Sequence, residues 1–91
     1  MVSVTASPAG EAWVCQVAVN HGGEHTRHTV TVTARDLARW ARGNEKDDVE
    51  DLVARSFDFL LEREPPGSIL NRFDLSVIQR YFPDYDQQFK R

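Results

Sequence analysis

Three histidines in the first third of the chain are the residues best suited to bind a metal. They are His21, His25 and His28, and they lie in and beside the segment NHGGEH, where Glu24 adds a carboxylate. Imidazole and carboxylate groups are common zinc ligands. However, the chain has neither CxxC pairs nor an HExxH segment, which are the spacings typical of zinc sites. We therefore expect a solvated loop that contains histidines, with no bound metal or other cofactor.

Cys15 is the second candidate for chemistry, because a thiol beside His28 on a neighbouring strand could act as a nucleophile. Cys15 shares strand parity with Trp13 and Val17, which predicts that its side chain is buried. A buried thiol in apolar surroundings has a raised pKa and reacts poorly. The carboxylates of residues 47–51 are explained by the start of a helix, where the helix dipole favours negative charge. We predict no catalytic residue, and we favour a protein that is not an enzyme.

Arg35, Arg39 and Arg42 form the most distinct group of basic residues. They fall within about 60° of one another on a helical wheel, and with Arg27 they could contact phosphate groups. The simpler interpretation is the solvated face of a short amphipathic helix. The net charge of −3, from 11 basic and 14 acidic residues, argues against a general affinity for nucleic acid. Binding of nucleic acid or a phosphorylated ligand through this first helix is our second functional hypothesis.

The elements that must position these residues change character near residue 33. In residues 1–33, apolar and polar side chains alternate with a period of two, which is typical of half-buried strands. The segments SPAG and NHGGEH supply turns between the strands. We predict a three-stranded antiparallel meander over residues 1–33, followed by a helical part over residues 34–82 and a polar tail over residues 83–91.

The helical part contains one long amphipathic helix. The segment TARD, from Thr33, reads as the capping box of a short first helix. Residues 47–64 then repeat apolar side chains at helical spacing, and Pro65 and Pro66 end this second helix. Its apolar arc of roughly 200° is wider than one sheet face usually covers. We predict a single α+β domain over residues 1–91, with two to four helices packed on one face of the meander.

All seven phenylalanines and tyrosines lie at residue 57 or later. We predict that a last helix, LSVIQRYF at residues 75–82 with Asp74 as its cap, docks on the long helix. The docking side chains are expected to be Phe73, Leu75, Ile78 and Phe82, chiefly against Phe57, Leu60 and Leu61. Aromatic residues are enriched at interface cores. Those nearer the edge are therefore our candidates for contact with a partner, and they are Tyr81, Tyr85 and Phe89.

The segment SFDFLLEREPPGSILNRFDLSVIQRYFPDYD resembles a family of small uncharacterised bacterial proteins with the pattern SFxFLLxREP, SIL, FDL and YFP[ED]Y. The match runs from Ser56 to Tyr85. The resemblance implies a bacterial cytoplasmic protein and supplies no catalytic residue. A single cysteine fits a reducing compartment, and no apolar run approaches the ~20 residues of a membrane span. We expect a cytoplasmic protein-interaction or self-association module, whose partner is another protein or a second copy of the chain.

Overall fold

The computed structural model describes residues 1–90 and has an α+β architecture, with a four-stranded sheet and four α-helices. The strands are β1 (Val2–Ala9), β2 (Ala12–His21), β3 (Glu24–Val32) and β4 (Arg72–Asp74), in the order β1-β2-β3-β4. The helices are α1 (Ala34–Trp40), α2 (Lys46–Leu61), α3 (Val77–Tyr81) and α4 (Asp84–Phe89), and a short 3-10 turn covers Pro66–Ser68. The α+β class and the predicted number of helices are therefore confirmed.

The first three strands form the antiparallel meander that the alternating pattern predicts. Cys15 of β2 pairs with Ala6 of β1 on one side and with Val30 of β3 on the other. The turn between β2 and β3 holds Gly22 and Gly23 at φ angles of 61° and 83°. Glycine adopts such angles without the steric cost that a side chain brings, so these two residues permit the tight reversal between the strands.

One face of this sheet is covered and the other is largely open to solvent. Cys15, Val17 and Val19 of β2 are buried, whereas the intervening Gln16 and Ala18 are exposed. The same alternation continues in β3, where every second side chain from His28 to Val32 is buried. The period of two thus sends the apolar side chains towards the helices and the polar ones to water.

A fourth strand corrects the predicted three-stranded sheet. Residues 72–74 were expected to belong to the helical part of the chain, yet they form β4, which runs parallel to β3 with Phe73 beside Val30. The Asn71 carbonyl accepts a hydrogen bond from the Thr29 amide at 2.7 Å, and the Leu75 amide donates to the Thr31 carbonyl at 2.9 Å. The backbone on both sides of Phe73 is therefore held by the edge of the meander.

This strand also moves the start of the following helix. Asp74 was expected to cap a helix over residues 75–82, but it lies in β4, and α3 covers only Val77–Tyr81 with Ser76 at its N-cap. The Leu75 amide continues the bonding to β3, and the Leu75 carbonyl accepts a hydrogen bond from the Ile78 amide at 3.1 Å, so Leu75 lies in the turn that leads from β4 into α3. Its side chain is still fully buried.

The two earlier helices are close to their predicted positions. The Thr33 hydroxyl accepts a hydrogen bond from the Asp36 amide at 3.2 Å, and the Asp36 carboxylate accepts one from the Thr33 amide at 3.0 Å. This reciprocal pair is the predicted capping box of α1. Helix α1 ends at Trp40, and α2 ends at Leu61, three residues before its predicted end at residue 64.

The predicted polar tail is also a helix. Residues 84–89 form α4, and within it Tyr85 and Phe89 are buried while Gln87 and Gln88 are exposed. Tyr85 and Phe89 are four positions apart and so lie on one face of the helix. This face closes the core beside α2, and residue 91 lies outside the described part of the chain.

Candidate protein-interaction site

An aromatic layer joins the last two helices to α2. Phe59 of α2 lies at its centre, with edge-to-face contacts to Phe82, Tyr85 and Phe89 at centroid distances of 5.3–5.9 Å. Tyr85 and Phe89 stack on each other at 4.3 Å. Such contacts add to the stabilisation that burial of the rings provides. The layer covers the part of the wide apolar arc of α2 that the sheet leaves open.

The docking prediction holds for Phe73 and needs correction for Phe82. The Phe73 ring contacts the Phe57 ring at 6.1 Å, and both Phe73 and Ile78 are buried. Phe82 is only half-buried, and its ring contact is with Phe59. Helix α4 brings two further rings, those of Tyr85 and Phe89, to the same side chain, Phe59.

Tyr85 lies inside the core, which contradicts its expected position at an edge. Its side chain is 0% exposed, and its hydroxyl is 2.7 Å from the Ser56 hydroxyl. Ser56 also donates to the Leu52 carbonyl at 2.7 Å, so Tyr85 is the donor in their shared bond. Burial raises the pKa of Tyr85 above its usual range. Phe89, 9% exposed, is likewise taken up by the core.

Asp86 connects α4 to α1. One carboxylate oxygen, Oδ1, accepts hydrogen bonds from Trp40 Nε1 at 2.8 Å and from Arg39 Nη2 at 3.1 Å. The Trp40 bond, aided by Arg39, lowers the pKa of Asp86. Arg39 also donates to Gln79 Oε1 at 3.0 Å, which ties α3 to the same corner. Nothing in the sequence pattern signals this long-range network.

The bonds of Arg39 weaken the hypothesis of a basic patch formed by Arg35, Arg39 and Arg42. Arg35 and Arg42 are exposed, as expected for a surface patch. Arg39 is bonded to Asp86, and its guanidinium carbon lies 4.4 Å from the centre of the Trp40 ring. The charge of the central arginine is therefore already paired within the chain.

The candidate interaction site is a groove of about 420 Å³ between the end of α2, β4 and α3. We call it the Tyr81 groove. Leu70 and Tyr81 line it and are 52% and 69% exposed. Its remaining lining residues are Leu60, Glu64, Ser68, Ile69, Phe73, Val77, Ile78 and Phe82. Apart from Met1, Leu70 and Tyr81 are the large hydrophobic side chains that are exposed in residues 1–90.

A buried histidine fixes one wall of this groove. His28 Nδ1 lies 2.7 Å from the Leu70 carbonyl oxygen, and Nε2 lies 2.9 Å from the Thr26 hydroxyl. Because a carbonyl oxygen only accepts, Nδ1 carries a proton and donates to it. His28 is 2% exposed and contacts the Phe57 ring at 5.2 Å. The exposure of Leu70 is therefore not due to a loose backbone.

The other candidates for chemistry do not come together in one site. His21 and His25 are exposed near the hairpin turn, whereas His28 is buried among the core side chains. Within residues 1–90, no three His, Cys, Asp or Glu side chains come close enough together to hold a metal ion. Cys15 is 0% exposed, and burial, with a smaller effect of Glu50, raises its pKa to about 11. The predicted burial of this thiol is confirmed.

Comparison of the chain with protein-family models, with curated proteins and with solved structures yields no match. The resemblance to a bacterial family and the cytoplasmic location therefore stay predictions. Among residues 1–90, no helix has both the length and the apolar character that a membrane crossing requires.

Proposed function

We propose that this protein is a non-enzymatic self-association module in which the Tyr81 groove of one copy packs against a second copy. The main supporting observation is that Leu70 and Tyr81 are both exposed and both line the same apolar groove. Exposed apolar patches of this kind mark interaction sites, and tyrosine is enriched at the centre of interfaces.

The rigidity of the groove supports this proposal. His28 holds the Leu70 backbone, and Arg39 holds α3 through Gln79. A surface that is already ordered loses little conformational entropy when a partner binds. Leu70 and Tyr81 thus remain exposed on a fixed framework, which favours a preformed contact surface over a mobile loop.

The alternative, a basic patch that binds nucleic acid or a phosphorylated ligand, has less support. Its central residue, Arg39, is paired with Asp86. Cys15, Tyr85 and Asp86 have shifted pKa values, and each has a structural role in packing or bonding. They therefore give no support to an enzymatic function.

Sedimentation velocity over a concentration series tests the proposal. The parent chain is expected to associate in the micromolar range, and Tyr81→Ala is expected to weaken association by at least about tenfold, as for an interface residue of central importance. Gln88→Ala, at an exposed position on α4 outside the groove, is the matched control and should associate like the parent. A parent chain that stays monomeric at hundreds of micromolar would overturn the proposal.

A further inference from the structure

The edge of the sheet beside the Tyr81 groove has open backbone hydrogen-bonding groups. In a parallel ladder, a strand uses every second residue to bond one neighbour. Asn71 and Leu75 bond β3, so the intervening Arg72 and Asp74 direct their N–H and C=O groups away from it. Since β4 is the last strand in the sheet order, these groups point outward.

The opposite edge of the sheet is partly protected. On β1, the outward amide of Ala6 donates to Glu50 Oε2 at 2.8 Å, and Pro8 has no amide hydrogen to offer. Proline and covering side chains are common devices that prevent the pairing of edge strands. Neither device is present on β4, where Arg72, Phe73 and Asp74 follow one another in the strand.

This inference rests on the self-association proposed above. We propose that β4 of one copy pairs antiparallel with β4 of the other copy, across a two-fold axis at Phe73. The two sheets then form one eight-stranded sheet with the helices of both copies on the same face. A two-fold axis makes the same patch face itself, so the Tyr81 grooves of the two copies lie side by side above the new strand pair.

Charge favours the register in which Arg72 faces Asp74 of the second copy. Outward backbone groups meet when Arg72 faces Arg72, when Asp74 faces Asp74, or when Arg72 faces Asp74 of the second copy. The first two registers place like charges opposite each other, which destabilises strand pairing. The third places opposite charges together twice and lets all four outward N–H and C=O groups of each copy bond. Arg72 and Asp74 are both exposed and are not in an ion pair within residues 1–90.

The position of the apolar side chains agrees with this arrangement. Phe73 points to the helix side of β4 and lines the Tyr81 groove together with Leu70 and Tyr81. Residues that face each other without direct backbone bonds in an antiparallel pair have Cα atoms about 4.5 Å apart. The two Phe73 residues would meet in this way, and the exposed Leu70 and Tyr81 side chains flank them.

Charge reversal provides a test with an internal rescue. In Arg72→Asp, both facing pairs become acidic, and in Asp74→Arg both become basic, so each variant should dimerise at least about tenfold more weakly than the parent. When the two variants are mixed in equal amounts, every facing pair again has opposite charges. The mixture is expected to form a heterodimer with an affinity close to that of the parent.

The controls separate this proposal from a general effect of charge. Arg35→Asp and Asp47→Arg make the same changes in net charge at exposed positions on other elements, and they should associate like the parent, alone and mixed. Because a misfolded chain would not regain association on mixing, the rescue also reports that both variants fold. Thermal melting of each variant at low concentration provides a second measurement of folding.

Three results would overturn different claims. If the parent associates, Tyr81→Ala weakens it, and both charge variants associate like the parent, the β4 pairing is wrong and the self-association proposal stands. If the charge variants are weakened but their mixture is not restored, the Arg72–Asp74 register is wrong. A parent chain that never associates would contradict both proposals.

Discussion

At the scale of single residues, Asp86 does the most to join separate parts of the chain. Its carboxylate receives hydrogen bonds from Trp40 and Arg39, two neighbours in α1 that lie more than forty positions earlier in the sequence. Both bonds favour the charged form of the carboxylate. The pKa of Asp86 is accordingly lowered in the folded state.

This lowered pKa predicts a specific acid dependence. Folding is stabilised by the charged form above the unfolded-state pKa of about 3.9, and the stabilisation is lost as the pH falls through the lower folded-state value. Asp86→Asn, which keeps the shape but removes the charge, should be less stable than the parent at pH 7 and should lose less stability between about pH 5 and pH 2. Urea unfolding across this pH range measures both effects.

Asp84→Asn is the matched control for this experiment. Asp84 lies in the same helix and pairs with Arg63 at 3.0 Å, but its side chain is 51% exposed. Exposed ion pairs contribute little to stability, so this variant should follow the parent closely. Equal pH profiles for Asp86→Asn and the parent would contradict the role given to the Asp86 charge.

At the scale of elements, α4 is the largest departure from the sequence prediction. Its buried face consists of Tyr85 and Phe89 alone, in a segment otherwise rich in acidic and amide side chains. Two apolar residues four positions apart are too few to distinguish a helix from a polar tail by periodicity. What stabilises α4 is tertiary contact, through the aromatic layer around Phe59 and the bonds to Asp86.

Strand β4 could not be found from the sequence for a related reason. Its three residues are too short for an alternating pattern to be recognised, and only the pairing of Phe73 with Val30 defines it. The meander, the α1 capping box and the extent of α2 were predictable because each rests on a local or strongly periodic signal. The exposed Tyr81 was also predicted as a contact residue, but the groove around it depends on β4 and α3 together.

The core position of Tyr85 predicts a large effect of its truncation. Tyr85→Ala should reduce the free energy of unfolding by about 3–5 kcal/mol, since it removes a buried ring at the centre of the aromatic layer. Tyr85→Phe removes only the hydroxyl bond to Ser56 and should cost about 0.5–1.5 kcal/mol. Chemical denaturation of both variants measures these changes.

Tyr81→Ala is the natural comparison, because the Tyr81 side chain is exposed. Measured at concentrations where the chain is monomeric, this variant should differ from the parent by less than about 0.5 kcal/mol. A Tyr85→Ala variant as stable as Tyr81→Ala would show that α4 does not contribute to the core.

At the scale of the whole molecule, the chain has one sheet with a covered face, an open polar face and two unequal edges. The covered face is complete within residues 1–90, where the helices bury the apolar side chains of all four strands. The β1 edge is partly closed by Glu50 and Pro8, whereas the β4 edge adjoins the exposed Leu70 and Tyr81. The exposed apolar side chains of the groove thus lie at the β4 edge of the sheet.

If the β4 edge binds a second copy, the thermal stability of the chain should depend on protein concentration. If a second copy binds only the folded chain, association stabilises the folded state, and the melting temperature rises with concentration. Differential scanning calorimetry of the parent from about ten to several hundred micromolar should show such a rise, because this range spans the expected dissociation constant.

High salt should reduce the rise, since the Arg72 and Asp74 side chains are exposed and their attraction is screened. Arg72→Asp should show a smaller rise over the same range, because its weaker dimer is less populated at each concentration, and its equimolar mixture with Asp74→Arg should regain the dependence of the parent. A parent melting temperature that is constant over this range would contradict the coupling of folding to association.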